Sequence, residues 1–251
     1  MPAAPPAARA ASHNVVLITG AARRIGRAIA LDMANHGWAI AIHYRRSKPE
    51  AEALLNEIRN LGGEAQLFEA DLKNFAALDP LVASCVETLG PPLCLINNAS
   101  EFLLDRVQST DEATWDTHLD INLKAPVFLS QAMARHLPPG VQGNIINIID
   151  QRVWKLTPDF FSYTISKAGL WTATRTLAQA LAPRIRVNAI GPGPVLRSVH
   201  QTDQDFAAEQ KSTLLNTGPS PEEIAAAVRF IISSPSMTGQ MIALDAGQHL
   251  T

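Results

Sequence analysis

Short apolar runs rich in Val and Ile alternate along the chain with longer segments of mixed polarity. Apolar runs without charges are typical of strands that are covered on both faces, whereas apolar residues spaced three and four apart are typical of helices with one buried face. This pattern predicts strands at Val15–Thr19, Ala39–His43, Ala65–Phe68, Leu93–Ile96, Asn144–Ile149, Arg186–Ile190 and Met241–Leu244. It predicts helices at Arg24–His36, Pro49–Leu61, Ala76–Leu89, Asp111–His136, Phe160–Leu181 and Pro221–Ser233.

Regular alternation of strand and helix indicates βαβ units and therefore a parallel sheet. Right-handed crossovers wind such a sheet in both directions, which predicts a single α/β domain with a doubly wound, Rossmann-type sheet over residues 14–251. Ligands of such sheets bind at the carboxyl ends of the strands. We therefore expect the chemistry just after Thr19, His43, Ile96, Ile149 and Ile190.

The composition argues against a nucleic-acid-binding, membrane-spanning or metal-binding protein. The chain has 251 residues, of which 47% are hydrophobic, and a formal net charge of −2, so it can bury a large core and has no basic excess for nucleic acid. No apolar run is long enough for a membrane span. The two cysteines, Cys85 and Cys94, are interpreted as reduced core thiols, and no Cys/His cluster has the spacing of a metal site.

The first 13 residues are rich in Ala and Pro and contain Arg9. They contain no continuous apolar segment of the kind that a secretory signal requires. We expect residues 1–13 to be a disordered tail and the protein to be cytoplasmic.

A glycine-containing turn follows the first predicted strand and opens the first helix. Its sequence, from Thr19 to Gly26, is Thr-Gly-Ala-Ala-Arg-Arg-Ile-Gly. Gly20 permits a tight turn, Gly26 permits close approach, and the helix start offers free N–H groups to a pyrophosphate. The turn therefore predicts a dinucleotide site that includes Arg23, Arg24 and Ile25.

The end of the second strand selects the cofactor. An NAD site usually has an acidic residue there, but this chain reads His43-Tyr44-Arg45-Arg46-Ser47. Arg45 or Arg46, with Ser47, can hold a 2′-phosphate by charge-assisted hydrogen bonds, which favours NADP(H). The alternative is that these arginines, with Arg23 and Arg24, only solvate loops.

Asp71 and Leu72 follow the third strand. The Asp71 carboxylate can accept from an adenine amino group, or it can cap the next helix. Both interpretations remain open from the sequence.

Tyr163 and Lys167 lie four residues apart in a predicted helix and so share one face. An ammonium near a phenol lowers the pKa of the phenol, so we expect Lys167 to make Tyr163 a usable general acid for carbonyl or imine reduction.

With these residues on one sheet, the sequence resembles the classical short-chain dehydrogenase/reductase family over about Val15–Gly247. The resemblance rests on the Thr19–Gly26 turn, Asn97-Asn98-Ala99, Asn122, Tyr163 with Lys167, and Pro192-Gly193. It implies that Asn98 and Ala99 line the adenosine, that Pro192 and Gly193 border the nicotinamide, and that Lys167 also binds the nicotinamide ribose. It implies that Asn122 holds a helix kink and a water of the proton relay.

Two positions depart from the family pattern. Arg24 stands where the family usually has the central glycine of the turn, and Asp150 stands where it has its catalytic serine. An ionised Asp150 cannot donate to a carbonyl oxygen and repels an oxyanion, whereas a carboxyl beside a C=N bond can relay a proton to a ring nitrogen. The alternative is that Asp150 is displaced and that Ser162 or Ser166 takes its place.

Both departures resemble the branch of pteridine reductases and dihydromonapterin reductases. The shared features are Arg24 in the turn, Asn97-Asn98-Ala99-Ser100-Glu101-Phe102, the spacing of Asp150, Tyr163 and Lys167, and the His43–Ser47 stretch. The resemblance implies that Phe102 stacks on a pterin and that Arg24 and Ser100 contact the pterin or the cofactor phosphate. Taken alone, Phe102 is more typical of core packing, and it is the surrounding motif that favours stacking.

These observations predict an NADPH-dependent reductase that transfers hydride to the C=N bond of a dihydropterin or related pteridine. Asp150, or Tyr163 with Lys167, would supply the proton. The alternatives are a carbonyl reductase of 3-oxoacyl or sugar type and a non-catalytic NADP-binding regulator.

Residues 194–217 are polar without clear periodicity and are expected to form a mobile substrate loop. The family resemblance implies a homotetramer assembled through long helices. The apolar side chains of the helix at Phe160–Leu181 would serve that interface or the core of one chain.

Overall fold

The predicted alternation of strands and helices is confirmed in residues 14–251, which the computed structural model describes. The predicted tail, residues 1–13, lies outside the described residues. The strands are β1 (Asn14–Ile18), β2 (Trp38–Tyr44), β3 (Ala65–Glu69), β4 (Pro92–Asn97), β5 (Gly143–Ile148), β6 (Ile185–Pro192) and β7 (Met241–Leu244). The helices are α1 (Arg24–Asn35), α2 (Lys48–Asn60), α3 (Leu78–Thr88), α4 (Glu112–Leu119), α5 (Ala125–His136), α6 (Phe161–Leu181), α7 (Asp203–Lys211) and α8 (Pro221–Ile232).

The seven strands form one parallel sheet in the order β3-β2-β1-β4-β5-β6-β7. Winding reverses between β1 and β4, where Ile18 pairs with Ile42 on one side and with Ile96 on the other. Ligands bind such sheets at the point of reversal. The predicted doubly wound fold is therefore confirmed, and its site lies beyond the ends of β1 and β4.

Two apolar layers cover the sheet. Val16 and Ile18 face a cluster that includes residues of α1, α2 and α8, while Val15 and Leu17 face a cluster with α3, α5 and α6. Alternate strand residues thus serve opposite layers, as the pleat requires. Cys85 and Cys94 are free, buried thiols, and burial raises the pKa of each to about 12, which confirms their interpretation as core residues.

Two helical features differ from the sequence prediction. The helix expected at Asp111–His136 consists of α4 and α5 joined by a π-helical segment, Asp120–Lys124. The expected loop at 194–217 contains α7, which Thr202 and Asp205 start with a reciprocal capping box. None of the described helices is long and apolar enough to cross a membrane.

Candidate active site

A cavity of about 900 Å³ opens at the carboxyl ends of the strands. All but one of the residues that the sequence selected line it: Gly20, Arg23, Arg24, Ile25, Gly26, His43, Tyr44, Arg45, Arg46, Ser47, Asp71, Leu72, Asn98, Ala99, Ser100, Phe102, Asp150, Tyr163, Lys167, Pro192 and Gly193. The exception is Asn122, which lies behind the wall. The fold therefore gathers residues from the ends of six strands, β1 to β6, into one site.

The turn after β1 is fixed from beneath by Thr19 and Asn98. The Thr19 hydroxyl accepts from the Asn98 and Ala99 amides, at 2.9 and 3.0 Å, and Asn98 Nδ2 donates to the carbonyls of Thr19 and Gly20. A Cβ on Gly26 would lie 2.4 Å from the Gly20 oxygen and 2.6 Å from Asn98 Nδ2. Only glycine fits there, so the start of α1 can approach the turn closely.

Arg24 occupies a left-handed backbone conformation with φ of 54°. Glycine adopts this region without a Cβ penalty, which explains why the related family usually has glycine there. The guanidinium donates to the carbonyls of Leu196 and Arg197, both at 2.9 Å. Arg24 therefore ties the turn to the 194–217 segment.

His43 links the turn to the neighbouring strand. Its Nδ1 accepts from the Gly20 amide at 3.1 Å, and its Nε2–H donates to the Ala70 carbonyl at 3.1 Å. Burial lowers the pKa of His43 to about 4, so the ring is neutral and both hydrogen bonds are kept.

The arginines at the end of β2 differ in their partners. Arg45 donates to Glu101 at 2.8 Å and lies 3.9 Å from Asp71, while Arg23 is paired with Glu50. Within residues 14–251, the exposed Arg46 takes part in no ion pair. Arg46 is thus the cation of this group that is available to an added anion.

Asp71 does not cap the helical segment that follows it. Its Oδ1 accepts from the Lys73 amide at 3.0 Å, and Asn74 caps the 3₁₀ turn at Phe75–Ala77. The capping interpretation is therefore wrong, and the Asp71 carboxylate borders the cavity. Tyr44 also directs its hydroxyl to an acidic group, since it donates to Glu69 at 3.1 Å.

Asp150 and Tyr163 form a hydrogen-bonded pair on the cavity wall. The Tyr163 hydroxyl donates to Asp150 Oδ2 at 2.9 Å, and the Arg152 amide donates to Asp150 Oδ1 at 2.8 Å. Lys167 Nζ donates to the Ile148 carbonyl at 2.9 Å and lies 5.7 Å from the centre of the Tyr163 ring. The carboxyl therefore faces the cavity and directly contacts the phenol.

The prediction that Lys167 lowers the pKa of Tyr163 is wrong. Burial and the adjacent Asp150 charge raise the pKa of Tyr163 well above its usual value, because a phenolate there is desolvated and faces a second anion. Burial lowers the pKa of Lys167 to about 8, and burial raises the pKa of Asp150. Asp150 is therefore the member of the pair that exchanges a proton more readily.

Neither serine substitutes for Asp150. Ser162 is fully buried and its hydroxyl donates to Asp105, while the Ser166 hydroxyl donates to the Tyr163 carbonyl at 2.7 Å. Neither residue lines the cavity. The alternative interpretation of the sequence, in which one of them replaces Asp150, is wrong.

Asn122 lies in the π-helical segment and holds the wall of the cavity from behind. Its Oδ1 accepts from the Glu101 amide at 2.9 Å and from Ser100 Oγ at 3.2 Å. Its Nδ2 donates to the Glu101 carbonyl at 3.0 Å and to Ser166 Oγ at 3.1 Å. Asn122 therefore acts on the site through the Ser100–Glu101 backbone.

Phe102 belongs to an aromatic cluster with Phe160, Tyr163 and His200. Its ring is stacked on Phe160 with centres 4.1 Å apart and lies edge-to-face with Tyr163 at 4.7 Å. His200 Nε2 donates to the Phe102 carbonyl at 2.9 Å. All four members line the cavity, so Phe102 is a wall residue and not only part of the core.

Sequence reasoning missed several wall residues outside the predicted substrate loop: Arg106, Gln151, Arg152, Asp159, Phe160 and Gln248. Gln151 and Arg152 follow Asp150 directly, and that adjacency is a usable signal. The Thr-x-x-Asp pattern at Thr202 also marks the start of α7. The others come from loops whose course no local pattern specifies.

Comparison with known proteins agrees with this geometry. The sequence model of the family described as Enoyl-(Acyl carrier protein) reductase matches residues 20–249. The chain therefore belongs to the short-chain dehydrogenase/reductase family, as the fold and the positions of Tyr163 and Lys167 on one helix indicate.

The similar proteins include reductases of different kinds. The solved structure of FolM alternative dihydrofolate reductase 1 from Brucella suis in complex with NADP is 51% identical, with a TM-score of 0.93 over 96% of each chain. The corresponding protein from Brucella canis, also complexed with NADP, is 50% identical, with a TM-score of 0.93 over 97% of each chain. A 3-oxoacyl-[acyl-carrier-protein] reductase from Synechocystis sp. is 31% identical over 95% of this chain and 98% of its own.

Proposed function

We propose that the protein is an NADPH-dependent reductase that acts on the C=N bond of a dihydropterin or related pteridine. The observation that carries the proposal is the Asp150 carboxyl, hydrogen-bonded to Tyr163 at 2.9 Å and facing the cavity. The similarity to the two alternative dihydrofolate reductases supports it, at 50% and 51% identity against 31% for the 3-oxoacyl reductase.

The start of α1 fits a pyrophosphate. Its N-cap, Arg23, makes no side-chain capping bond, and no acidic residue lies in the first turn. The first amides are therefore available to an anion, and the positive end of the helix dipole favours it. Asn98 and Ala99 would border the adenosine, Asp71 would accept from its amino group, and Pro192 and Gly193 would border the nicotinamide.

The end of β2 fits a 2′-phosphate. Arg46 takes part in no ion pair within the described part of the chain, and Ser47 adds a hydroxyl. Arg45 is already balanced by Glu101 and Asp71, so it orients the loop. This arrangement favours NADPH over NADH because a free guanidinium gains most from a phosphate.

NADPH supplies the hydride when bound. Asp150 then serves as the proton source, because burial raises the pKa of its carboxyl. Tyr163 remains a neutral phenol whose hydroxyl donates to Asp150 Oδ2 and so positions this carboxyl, which gives its proton directly to the ring nitrogen of the substrate. Lys167 stays fixed on the Ile148 carbonyl, where its ammonium would also hold the nicotinamide ribose.

A pteridine suits the other walls of the site. Flat heterocycles stack well on aromatic rings, and the aromatic cluster places Phe102 next to Tyr163. We propose that Phe102 stacks on the substrate, that Arg24 and Ser100 contact it or the cofactor phosphate, and that segment 194–217 closes over it. Arg24 and His200 already join that segment to the turn and to Phe102.

The test compares NADPH oxidation with three additions: a dihydropterin or dihydrofolate, a 3-oxoacyl thioester, and no substrate. The proposal expects turnover with the pteridine and little with the thioester. Turnover with the thioester alone would establish the carbonyl-reductase alternative. Tight NADPH binding with no turnover of any compound would favour the regulatory alternative.

A further inference from the structure

Three buried polar side chains behind the aromatic cluster are linked by hydrogen bonds and have no part in the chemistry described so far. His118, Ser162 and Asp105 are 0%, 0% and 3% exposed, respectively. His118 Nδ1 contacts Ser162 Oγ at 2.7 Å, and Ser162 Oγ donates to Asp105 Oδ2 at 2.5 Å. Buried polar groups that are this fully paired fix local geometry strongly.

The directions of these hydrogen bonds determine which ring nitrogen of His118 carries the proton. The Leu103 amide donates to His118 Nε2 at 3.0 Å, so that nitrogen carries no proton. Nδ1 therefore carries the proton and donates to Ser162, which in turn donates to Asp105. Burial also lowers the pKa of His118, although the Asp105 charge opposes this, so the neutral ring persists.

His118 and Asn122 lie one helical turn apart and hold alternate residues of the same wall segment. Asn122 binds the Glu101 amide and carbonyl, and His118 binds the Leu103 amide. Phe102 lies between these two anchored residues and lines the cavity. Two residues beyond Leu103, the Asp105 carboxylate accepts from the Ser162 amide at 3.2 Å.

From this placement we infer that His118 is a positioning residue that sets the affinity for substrate by fixing the backbone at Leu103 and hence the ring of Phe102. The inference rests on the proposed function only in assigning Phe102 to the substrate wall. His118 itself does not line the cavity, so it does not contact the substrate and acts through the residues that it holds in place.

Two substitutions test the hydrogen bonds of His118 to Leu103 and to Ser162 one at a time. In His118→Gln the amide oxygen can take the place of Nε2 and accept from Leu103, whereas His118→Asn keeps a group near Ser162 and loses the Leu103 acceptor. We expect His118→Asn to raise the KM for the reducible substrate about tenfold, with a smaller change in kcat and an unchanged Kd for NADPH. His118→Gln should recover most of this loss. The control His36→Asn replaces an exposed histidine at the carboxyl end of α1 and should change none of the three constants.

A second readout needs no substrate. Hydrogen exchange at the backbone of residues 100–106, followed by mass spectrometry, should be faster in His118→Asn than in the wild type and the Gln variant. This result would support the inference even if no pteridine is reduced, and the KM comparison would then use the carbonyl substrate that is turned over. Unchanged exchange in the Asn variant would overturn it.

A double substitution tests whether the effect passes through Phe102. If it does, His118→Asn adds nothing to the KM of Phe102→Leu, since the ring it positions is gone. Independent, multiplicative increases of KM would overturn the inference and leave His118 as a residue of general stability only.

Discussion

At the scale of single residues, the site depends on the desolvation of three neighbouring groups. The sequence identified Asp150, Tyr163 and Lys167, but it predicted that the ammonium would acidify the phenol. In the structure Lys167 binds the Ile148 carbonyl, and Asp150 contacts the phenol instead. Tertiary packing decides which charged group lies nearer to the Tyr163 hydroxyl. The four-residue spacing of Tyr163 and Lys167 therefore did not determine the direction of the pKa shift of Tyr163.

Because His43 is buried, we expect the free energy of unfolding to depend on pH. Its pKa is lowered from 6.5 to about 4 by burial, so between these values the unfolded chain binds a proton that the native state lacks. Its contribution is therefore complete above about pH 6.5 and is lost as the pH falls to about 4, by about 3 kcal/mol. We expect the free energy of unfolding, from urea titrations, to fall further for the wild type than for His43→Gln over this range. Parallel curves for the two proteins would contradict this expectation.

At the scale of elements, the turn between β1 and α1 is the feature that the sequence specifies most completely. Gly20, Gly26 and the strand–turn–helix order locate it, and the structure adds the hydrogen bonds from Asn98. Helix α7 was missed because its few apolar residues give it no periodic face, although its capping box is visible at Thr202. The π-helical segment was missed because no local pattern marks the extra residue in its turn.

Gly26→Ala tests whether NADPH binding needs the close packing of this turn, beyond the stability of helix α1. The new Cβ would lie 2.4 Å from the Gly20 oxygen, so the turn must shift. We expect a loss of about 1–3 kcal/mol of stability and a weakening of NADPH binding by about tenfold or more, measured by urea unfolding and by fluorescence titration. Arg27→Ala, at the exposed next position of α1, is the control and should retain NADPH binding. Equal NADPH affinity in the glycine variant and the wild type would show that the turn does not bind the cofactor.

At the scale of the whole molecule, sequence periodicity was sufficient to predict the seven strands and a doubly wound parallel sheet. Both follow from local apolar patterns and from the handedness of crossovers. The far wall formed by Phe160 and Gln248 was not predicted, because these residues come from segments that meet only in the folded chain. The apolar residues of α6 fall into two groups, buried and exposed. Leu170 is in the core, whereas Ile165 is 37% exposed.

We propose that the protein assembles as a homotetramer through its long helices, with α6 in one interface. Sedimentation equilibrium should then give four times the chain mass. Ile165→Arg should reduce it, because a buried charge without a partner is costly. Leu61→Arg, at an exposed position after α2, should not change it. A monomer in the wild type would contradict the proposal.

The most direct test of the account is the ratio of kcat/KM for a dihydropterin to kcat/KM for a 3-oxoacyl thioester in the wild type, Asp150→Asn and Asp150→Ser. The account predicts a ratio above one for the wild type and a fall of about a hundredfold or more in pteridine activity for both variants, since neither supplies an acidic proton. Asp150→Ser should also gain thioester activity because its hydroxyl donates to a carbonyl oxygen. Pteridine reduction that survives in Asp150→Asn would contradict the role of the carboxyl as the proton source.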